Sequence, residues 1–177
     1  MITVLTPTLS DRYLMLEECK QSVQNQTLKP FEHLIKMDTL RNGEAAMRNN
    51  LLQAAKTEWV AFLDDDDLFL PYHLEMLWNA RHEGDVIYSD CRVEGMEKHW
   101  QVKDFNLENI KEKNYISITV LARREALLIT GGFRPVSYPD WDMWIRLGEK
   151  GIRFKFVPMV TWVYRIGKNN LIFQGGQ

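Results

Sequence analysis

The feature of this sequence best suited to chemistry is a run of four aspartates, Asp64–Asp67. It follows the wholly apolar stretch Trp59–Leu63, which is typical of a strand buried on both faces. Ligands of open α/β sheets bind beyond the carboxyl ends of strands, so the acids fall where a site is expected. Crowded carboxylates repel one another unless a cation joins them. The run therefore predicts a site for a hard divalent ion that also receives phosphate. The alternative is a solvated acidic turn before the helix that Pro71 opens.

The elements around these acids alternate between strand and helix. Expected strands lie at 2–5, 33–37, 59–63 and 85–89, with helices at 11–26, 43–56 and after Pro71. This order predicts an α/β fold with a mostly parallel, doubly wound sheet over about residues 1–90. The second half is less regular, and its expected elements are a hairpin in 92–104, strands at 116–122, 152–157 and 161–164, and helices at 123–130 and 138–150.

Composition limits the choice of partner and location. The 177 residues suggest one domain, and a hydrophobic content of 45% with 26% charged residues is typical of a globular one. A net charge of -2 gives no electrostatic signal for nucleic acid or an anionic membrane. Cys19 and Cys91 are too isolated for a zinc site. Because we recognise neither a signal peptide nor a membrane span, we expect a cytoplasmic protein.

Five segments, in order along nearly the whole chain, resemble motifs of glycosyltransferase family 2. They are VLTPTLSDRYLMLEECKQSVQNQT at 4–27, GEAAMRN at 43–49, FLDDDDLFLP at 62–71, GGFR at 131–134 and YPDWDMWIRL at 138–147. The resemblance implies the GT-A fold, a Rossmann-like, mostly parallel sheet flanked by helices. It implies one domain over 1–169, with a donor-nucleotide half at about 1–90 and an acceptor and catalytic half at about 91–169. Residues 170–177 form a tail that looks like a protease-site scar.

The resemblance assigns donor-binding roles in the first half of the chain. Thr6, Pro7 and Thr8 match the loop that holds the nucleoside, and Asp38 matches the acid that contacts uracil or ribose. Arg48 matches an arginine near the nucleotide. Two alternatives stay open, since Asp38 can simply close a turn after its strand and Arg48 can be a surface residue of an amphipathic helix.

The resemblance also implies the metal and catalytic residues. Asp64 and Asp66 match the Asp-x-Asp pair, with Asp66 the more direct ligand of Mn²⁺ or Mg²⁺, and Asp65 is assigned to donor binding. Asp140 matches the second acid of the Glu-Asp pair and is the expected catalytic base. Arg165 is a candidate phosphate contact in place of the family's late histidine. A further alternative is that Asp140 only caps its helix.

Two departures from the family pattern bear on activity. Pro139 stands where the glutamate of the Glu-Asp pair is expected, and Tyr164–Gly167 lacks the late histidine. Trp141 and Trp144 have the spacing of core residues, although they also have the chemistry to stack on sugars.

The resemblance implies an inverting, metal-dependent transfer of a sugar from a nucleotide-diphosphate sugar to an unidentified acceptor hydroxyl. UDP is the expected nucleotide because it is the family's commonest. Two alternatives are a nucleotide-sugar-binding protein of the same fold that has lost the chemistry, and a nucleotidyltransferase. The second is disfavoured because the TPTLSDRY segment lacks a glycine-rich, basic phosphate loop.

Overall fold

The computed structural model describes residues 1–95 and 102–166. The strands within these ranges are β1 (Ile2–Thr8), β2 (Glu32–Met37), β3 (Trp59–Phe62), β4 (Leu68–Phe69), β5 (Val86–Val93), β6 (Val120–Arg123) and β7 (Phe154–Tyr164). The helices are α1 (Tyr13–Gln24), α2 (Glu44–Ala54), α3 (His73–Asn79), α4 (Leu107–Glu112), α5 (Arg124–Ile129) and α6 (Pro139–Glu149). The expected tail, 170–177, lies outside the described residues.

All these strands join one sheet in the order β2-β1-β3-β6-β5-β7-β4. β1 runs parallel to β2 and β3, and β5 runs parallel to β7. β6 lies antiparallel between β3 and β5, and β4 pairs antiparallel with β7. The predicted α/β fold is confirmed. The sheet is mixed, because the run of adjacent parallel strands, β2-β1-β3, ends at β3. β6 enters from the irregular segment before it and separates β3 from β5.

The core covers both faces of the sheet, because side chains alternate along each strand. In β3, Val60 and Phe62 join the cluster packed against α2, α4, α5 and α6. Trp59 and Ala61 point the other way, into the cluster against α1 and α3. All four β3 residues are buried, as expected for a wholly apolar strand.

Several second-half elements differ from the sequence prediction. The two strands expected at 152–157 and 161–164 form one long strand, β7. Its pairing with β5 is irregular at one point, since Ser89 faces Val157 but the next residue, Asp90, faces Val160. The register therefore skips two residues of β7, and the first of them is Pro158, which has no N–H to donate. The strand expected at 116–122 shortens to β6, and the hairpin expected in 92–104 lies partly outside the described residues.

The helices of this fold are short. The longest in the described ranges is α1, with 12 residues. Among helices in the described part of the chain, none has the length and apolar character needed to cross a bilayer.

Candidate active site

A cleft of about 700 Å³ opens at the carboxyl ends of β1, β2 and β3. One wall comes from the loops that follow these strands, and it includes the four-aspartate loop. A second wall comes from the segment before β6 and from the start of α6. The cleft thus lies where the crossover order of an α/β sheet places ligands.

An asparagine holds the two walls together. Asn49, on α2, donates its side-chain amide to the carbonyl of Phe133 at 2.8 Å and accepts the Phe133 N–H at 2.8 Å. The turn before Phe133 comes so close that a Cβ on Gly132 would lie 2.5 Å from the Asn49 amide oxygen. Gly132 also has a φ of 73°, which favours glycine. Two separated motifs of the sequence therefore meet here and place α2 beside the start of α6.

The first acid of the loop, Asp64, is held by a buried arginine. Arg48 is 3% exposed, and its Nη2 donates to the two carboxylate oxygens of Asp64 at 3.0 and 3.1 Å. Its Nη1 lies 3.1 Å from Glu44, one turn earlier on α2. Burial alone would lower the pKa of Arg48, but the charges of Asp64 and Glu44 outweigh it and raise that pKa. Arg48 is thus an inward-facing cation, and the surface alternative is wrong.

The second and third acids share another arginine. Arg12 lies just before α1, and its Nη1 donates to Asp65 at 2.8 Å and to Asp66 at 3.0 Å. Thr8, at the end of β1, donates its hydroxyl to Asp65 at 2.6 Å. Burial, with the neighbouring charge of Asp64, raises the pKa of Asp66 to about 6. Arg12 therefore offsets the burial of Asp66 only in part, which suits a carboxylate that is completed by a ligand.

The fourth acid, Asp67, is buried and connects the loop to the end of β7. It is 3% exposed and accepts the backbone N–H of Arg165 at 3.0 Å. Burial raises its pKa well above the ordinary aspartate value, and the charge of Asp66 adds to this. The guanidinium of Arg165 contacts the backbone carbonyl of Asp66 and the carboxylate of Glu18. These contacts attach the end of β7 to the acidic loop.

The loop after β2 is folded around Asp38. Its two carboxylate oxygens accept the backbone N–H groups of Asn42 at 2.9 Å and Gly43 at 2.8 Å. The Asn42 bond is the main reason that the pKa of Asp38 is lowered. Gly43 has a φ of 88° and is the N-cap residue that precedes α2. Asp38 thus shapes the turn, as one alternative proposed, and it lines the cleft as well.

Asp140 lies on the second wall, in the first turn of α6. Burial raises its pKa, while the charge of Arg48 works in the other direction. Asn114 donates a long hydrogen bond to it, 3.4 Å from Nδ2 to Oδ2, and the Asn114 amide oxygen accepts the Ile116 N–H at 3.1 Å. Asp142 instead bonds Arg146 at 2.7 Å and does not line the cleft.

The structure brings most of the sequence-predicted residues together and leaves out two. Those lining the cleft are Pro7, Thr8, Asp38, Arg48, Asp64, Asp65, Asp66 and Asp140. Thr6 is fully buried, and its hydroxyl bonds His33 Nε2 at 2.9 Å rather than facing the cleft. Arg165 does not line the cleft either, because its guanidinium is taken up by Asp66 and Glu18.

Sequence reasoning missed Arg12, Glu44 and Asn114, which also line the cleft. The only signal for Arg12 was a basic residue in the loop after the first strand.

Trp141 and Trp144 have core roles, since their indole N–H groups donate to the carbonyls of Ile110 at 2.5 Å and Ile116 at 3.0 Å. The Trp144 bond fixes the segment that carries Asn114.

The residues present suit a hard divalent cation bound together with a substrate. In the described ranges no three His, Cys, Asp or Glu side chains converge as a ready-made metal site. Mg²⁺ and Mn²⁺ sites commonly use only one or two carboxylates, with water and substrate phosphate completing the shell. Asp64 and Asp66 supply such oxygens on the cleft wall. The donor set therefore fits this ion type.

A mixed sheet of this order, with an acidic loop after a central strand, has the architecture of GT-A glycosyltransferases, and solved structures share it. S. aureus TarS 1-349 in complex with UDP-GlcNAc has a TM-score of 0.80 at 16% identity, covering 99% of this chain and 61% of that one. Mannosyltransferase PcManGT from Pyrobaculum calidifontis, in complex with GDP-Man and Mn²⁺, has a TM-score of 0.70 at 19% identity, covering 96% and 58%. The chain thus spans less than two thirds of either solved chain.

The sequence comparison defines the family. Residues 33–136 match the model of glycosyl transferase family 2, and the chain belongs to this family. The uncharacterized glycosyltransferase MJ1057 of Methanocaldococcus jannaschii is 21% identical over 94% of this chain and 71% of that protein. The family assignment made from the sequence motifs is therefore confirmed.

Proposed function

We propose that this protein is an inverting, metal-dependent glycosyltransferase that moves a sugar from a UDP-sugar to an acceptor hydroxyl. The observation that carries the proposal is one cleft with two acidic walls. Asp64 and Asp66 line one wall, Asp140 lines the other, and Arg48 interacts electrostatically with both. A diphosphate needs a cation, which the carboxylates of the first wall would hold, and an acceptor hydroxyl needs a base, which Asp140 would supply.

The donor would lie along the wall formed by the loops after β1, β2 and β3. Pro7, Thr8 and Asp38 would border the nucleoside, and the diphosphate would reach the acidic loop. Asp66, assisted by Asp64, would hold Mn²⁺ or Mg²⁺, which when bound offsets negative charge on the leaving diphosphate. The choice of UDP is supported by the UDP-GlcNAc complex of TarS, and that of a divalent ion by the Mn²⁺ in the PcManGT complex.

The acceptor would approach from the wall of Asp140. This carboxylate takes the proton of the acceptor hydroxyl as the oxygen attacks the anomeric carbon. The bond between that carbon and the diphosphate oxygen breaks at the same time, on the opposite face of the sugar, so the configuration inverts. A pKa raised by burial makes Asp140 a stronger base than an exposed aspartate.

One observation favours the second candidate, a binding protein without turnover. Pro139 occupies the first helical position of α6, where the family has the glutamate of its Glu-Asp pair. Proline is well suited to that helix position but supplies no acid. This candidate predicts that UDP and metal bind while no sugar is transferred or released.

A donor-turnover screen tests the proposal. Purified protein is incubated with a panel of nucleotide sugars and with Mn²⁺, Mg²⁺ or a chelator, and the released nucleoside diphosphate is measured. We expect metal-dependent release from a UDP-sugar, even without acceptor, by slow transfer to water. Binding of UDP without release from any donor, with and without a panel of saccharide acceptors, would favour the binding protein.

A further inference from the structure

The acidic loop is partly neutralised by the protein's own arginines. Arg48 pairs with Asp64, and Arg12 pairs with both Asp65 and Asp66. Guanidinium groups therefore supply part of the positive charge that crowded carboxylates require. An ion that binds Asp66 meets a carboxylate already bonded to a guanidinium.

Arg12 differs from the other two arginines of the loop in how firmly it is held. The Arg48 side chain is 3% exposed and sits between two carboxylates. The Arg165 side chain is 13% exposed and bonds a backbone carbonyl as well as Glu18. The Arg12 side chain is 31% exposed, lines the cleft, and has its ion pairs at Nη1. Arg12 is thus the most exposed of these three arginines, and it lines the cleft that a ligand would enter.

We infer that Arg12 is an exchangeable counter-ion, which gives up Asp66 to the divalent metal and then pairs with the diphosphate of the donor. This rests on the proposed function. A guanidinium and a metal ion repel each other when they share one carboxylate, so binding of the metal at Asp66 weakens the Arg12 bond. The donor brings new anionic oxygens into the same cleft, and guanidinium is well shaped for phosphate.

The exchange couples the two ligands. Before the donor arrives, Arg12 occupies Asp66 and competes with the metal. After the donor arrives, the same side chain adds to the affinity for diphosphate. Removing Arg12 should therefore change the two affinities in opposite directions, whereas a residue that only stiffens the loop would change both in the same direction.

The test uses Arg12→Gln and measures two dissociation constants. Mn²⁺ binding without nucleotide is followed by the electron paramagnetic resonance signal of the free ion, and UDP binding in saturating Mn²⁺ by calorimetry. We expect Mn²⁺ to bind roughly tenfold more tightly and UDP roughly tenfold more weakly, as for one bond to a charged group. Arg12→Lys retains the charge and should shift both constants less. Arg153→Gln removes an exposed arginine paired with Asp85, away from the cleft, and should change neither.

The outcomes separate the inference from the function on which it rests. Weaker or unchanged Mn²⁺ binding in Arg12→Gln, or unchanged UDP binding, would overturn the exchange. The proposed function would still stand in that case, provided that the wild-type protein binds Mn²⁺ and UDP. Failure of the wild-type protein to bind Mn²⁺ and UDP would overturn both. Circular dichroism verifies folding, and if Arg12→Gln does not fold, Arg12→Lys decides by the direction of its two shifts.

Discussion

Two acidic groups line the cleft, the four-aspartate loop and Asp140, and they differ in the partners that the rest of the molecule supplies. On the donor side, Asp64 and Asp65 are bonded to arginines that line the same wall. On the other side, Asp140 receives a long hydrogen bond from the side chain of Asn114, at 3.4 Å, and backbone hydrogen bonds at the start of α6, while the charge of Arg48 acts on it as well. A charged group that only binds can be fully paired, but a base must keep its affinity for a proton. The difference in pairing therefore matches the two proposed roles.

Asp66 is intermediate between these extremes. It has one bond to Arg12, yet its pKa is raised to about 6, first by burial and then by the charge of Asp64. A carboxylate of this kind is stabilised in its charged form when a cation binds. The pKa of Asp67 is raised as well, but Asp67 accepts the backbone N–H of Arg165. Of these two acids, Asp66 is the one bonded to a cleft-lining arginine, Arg12.

The largest expected effect is on Asp140. Asp140→Asn retains the shape of the side chain but cannot accept a proton, so turnover should fall roughly 10²- to 10⁴-fold. Binding of UDP with Mn²⁺ should stay near the wild-type value in the same calorimetric experiment. Asp142→Asn is the matched control, since Asp142 is on the same helix but bonds Arg146 and does not line the cleft. Turnover of Asp140→Asn within a few-fold of wild type would rule out its role as the base and favour the capping alternative.

The next effect distinguishes the acids within the loop. Asp66→Ala should abolish the part of the UDP stabilisation that depends on metal, which is about 2.7 kcal/mol when ligand is present at ~100 times its dissociation constant. Asp67→Asn should keep most of it, because its amide oxygen can still accept the Arg165 N–H. Thermal melting with UDP and Mn²⁺ measures both variants. A metal-dependent shift that survives in Asp66→Ala would mean that another residue holds the ion.

The smallest effect concerns pH and Asn114. Asp140 acts as a base only when it is ionised, so the rate should fall as pH drops through its raised pKa. The N–H of Asn114 favours the ionised form, and Asn114→Ala should raise that pKa further. We expect kcat to fall about two- to threefold on the acid side, the low end for a hydrogen bond, with little change on the alkaline side.

Ser117→Ala is the control for this pH profile, because Ser117 lines the same cleft but its hydroxyl oxygen accepts the Thr119 N–H. A uniform loss of rate in Asn114→Ala at every pH would show that the residue only supports the segment before β6.

The sequence predicts well those features that local patterns determine. β3 is apolar throughout and buried, and α6 begins at Pro139, close to the expected position. The acids after β3 line a cleft because strand ends meet at one edge of the sheet. These features depend on residues that are near one another along the chain.

Features that depend on contacts between residues far apart in the sequence are harder to predict from it. No local pattern indicates that β6 inserts antiparallel between β3 and β5, since its partners are set by the whole sheet. The bond from Arg12 to Asp65 joins residues 53 positions apart, and it was not predicted. Arg165 was expected at phosphate, but the contacts of its guanidinium with Asp66 and Glu18 are visible only in three dimensions.

The most direct test of the central claim is whether metal and nucleotide bind the wild-type cleft together. Thermal melting is recorded with UDP and Mn²⁺, with UDP and a chelator, and with Mn²⁺ alone. We predict a large rise in the melting temperature with UDP and Mn²⁺ and a much smaller one under the other two conditions, because Asp66 and the diphosphate complete one metal shell. Equal shifts with UDP in the presence of Mn²⁺ and of the chelator would contradict the claim that the acidic loop receives a metal-bridged diphosphate.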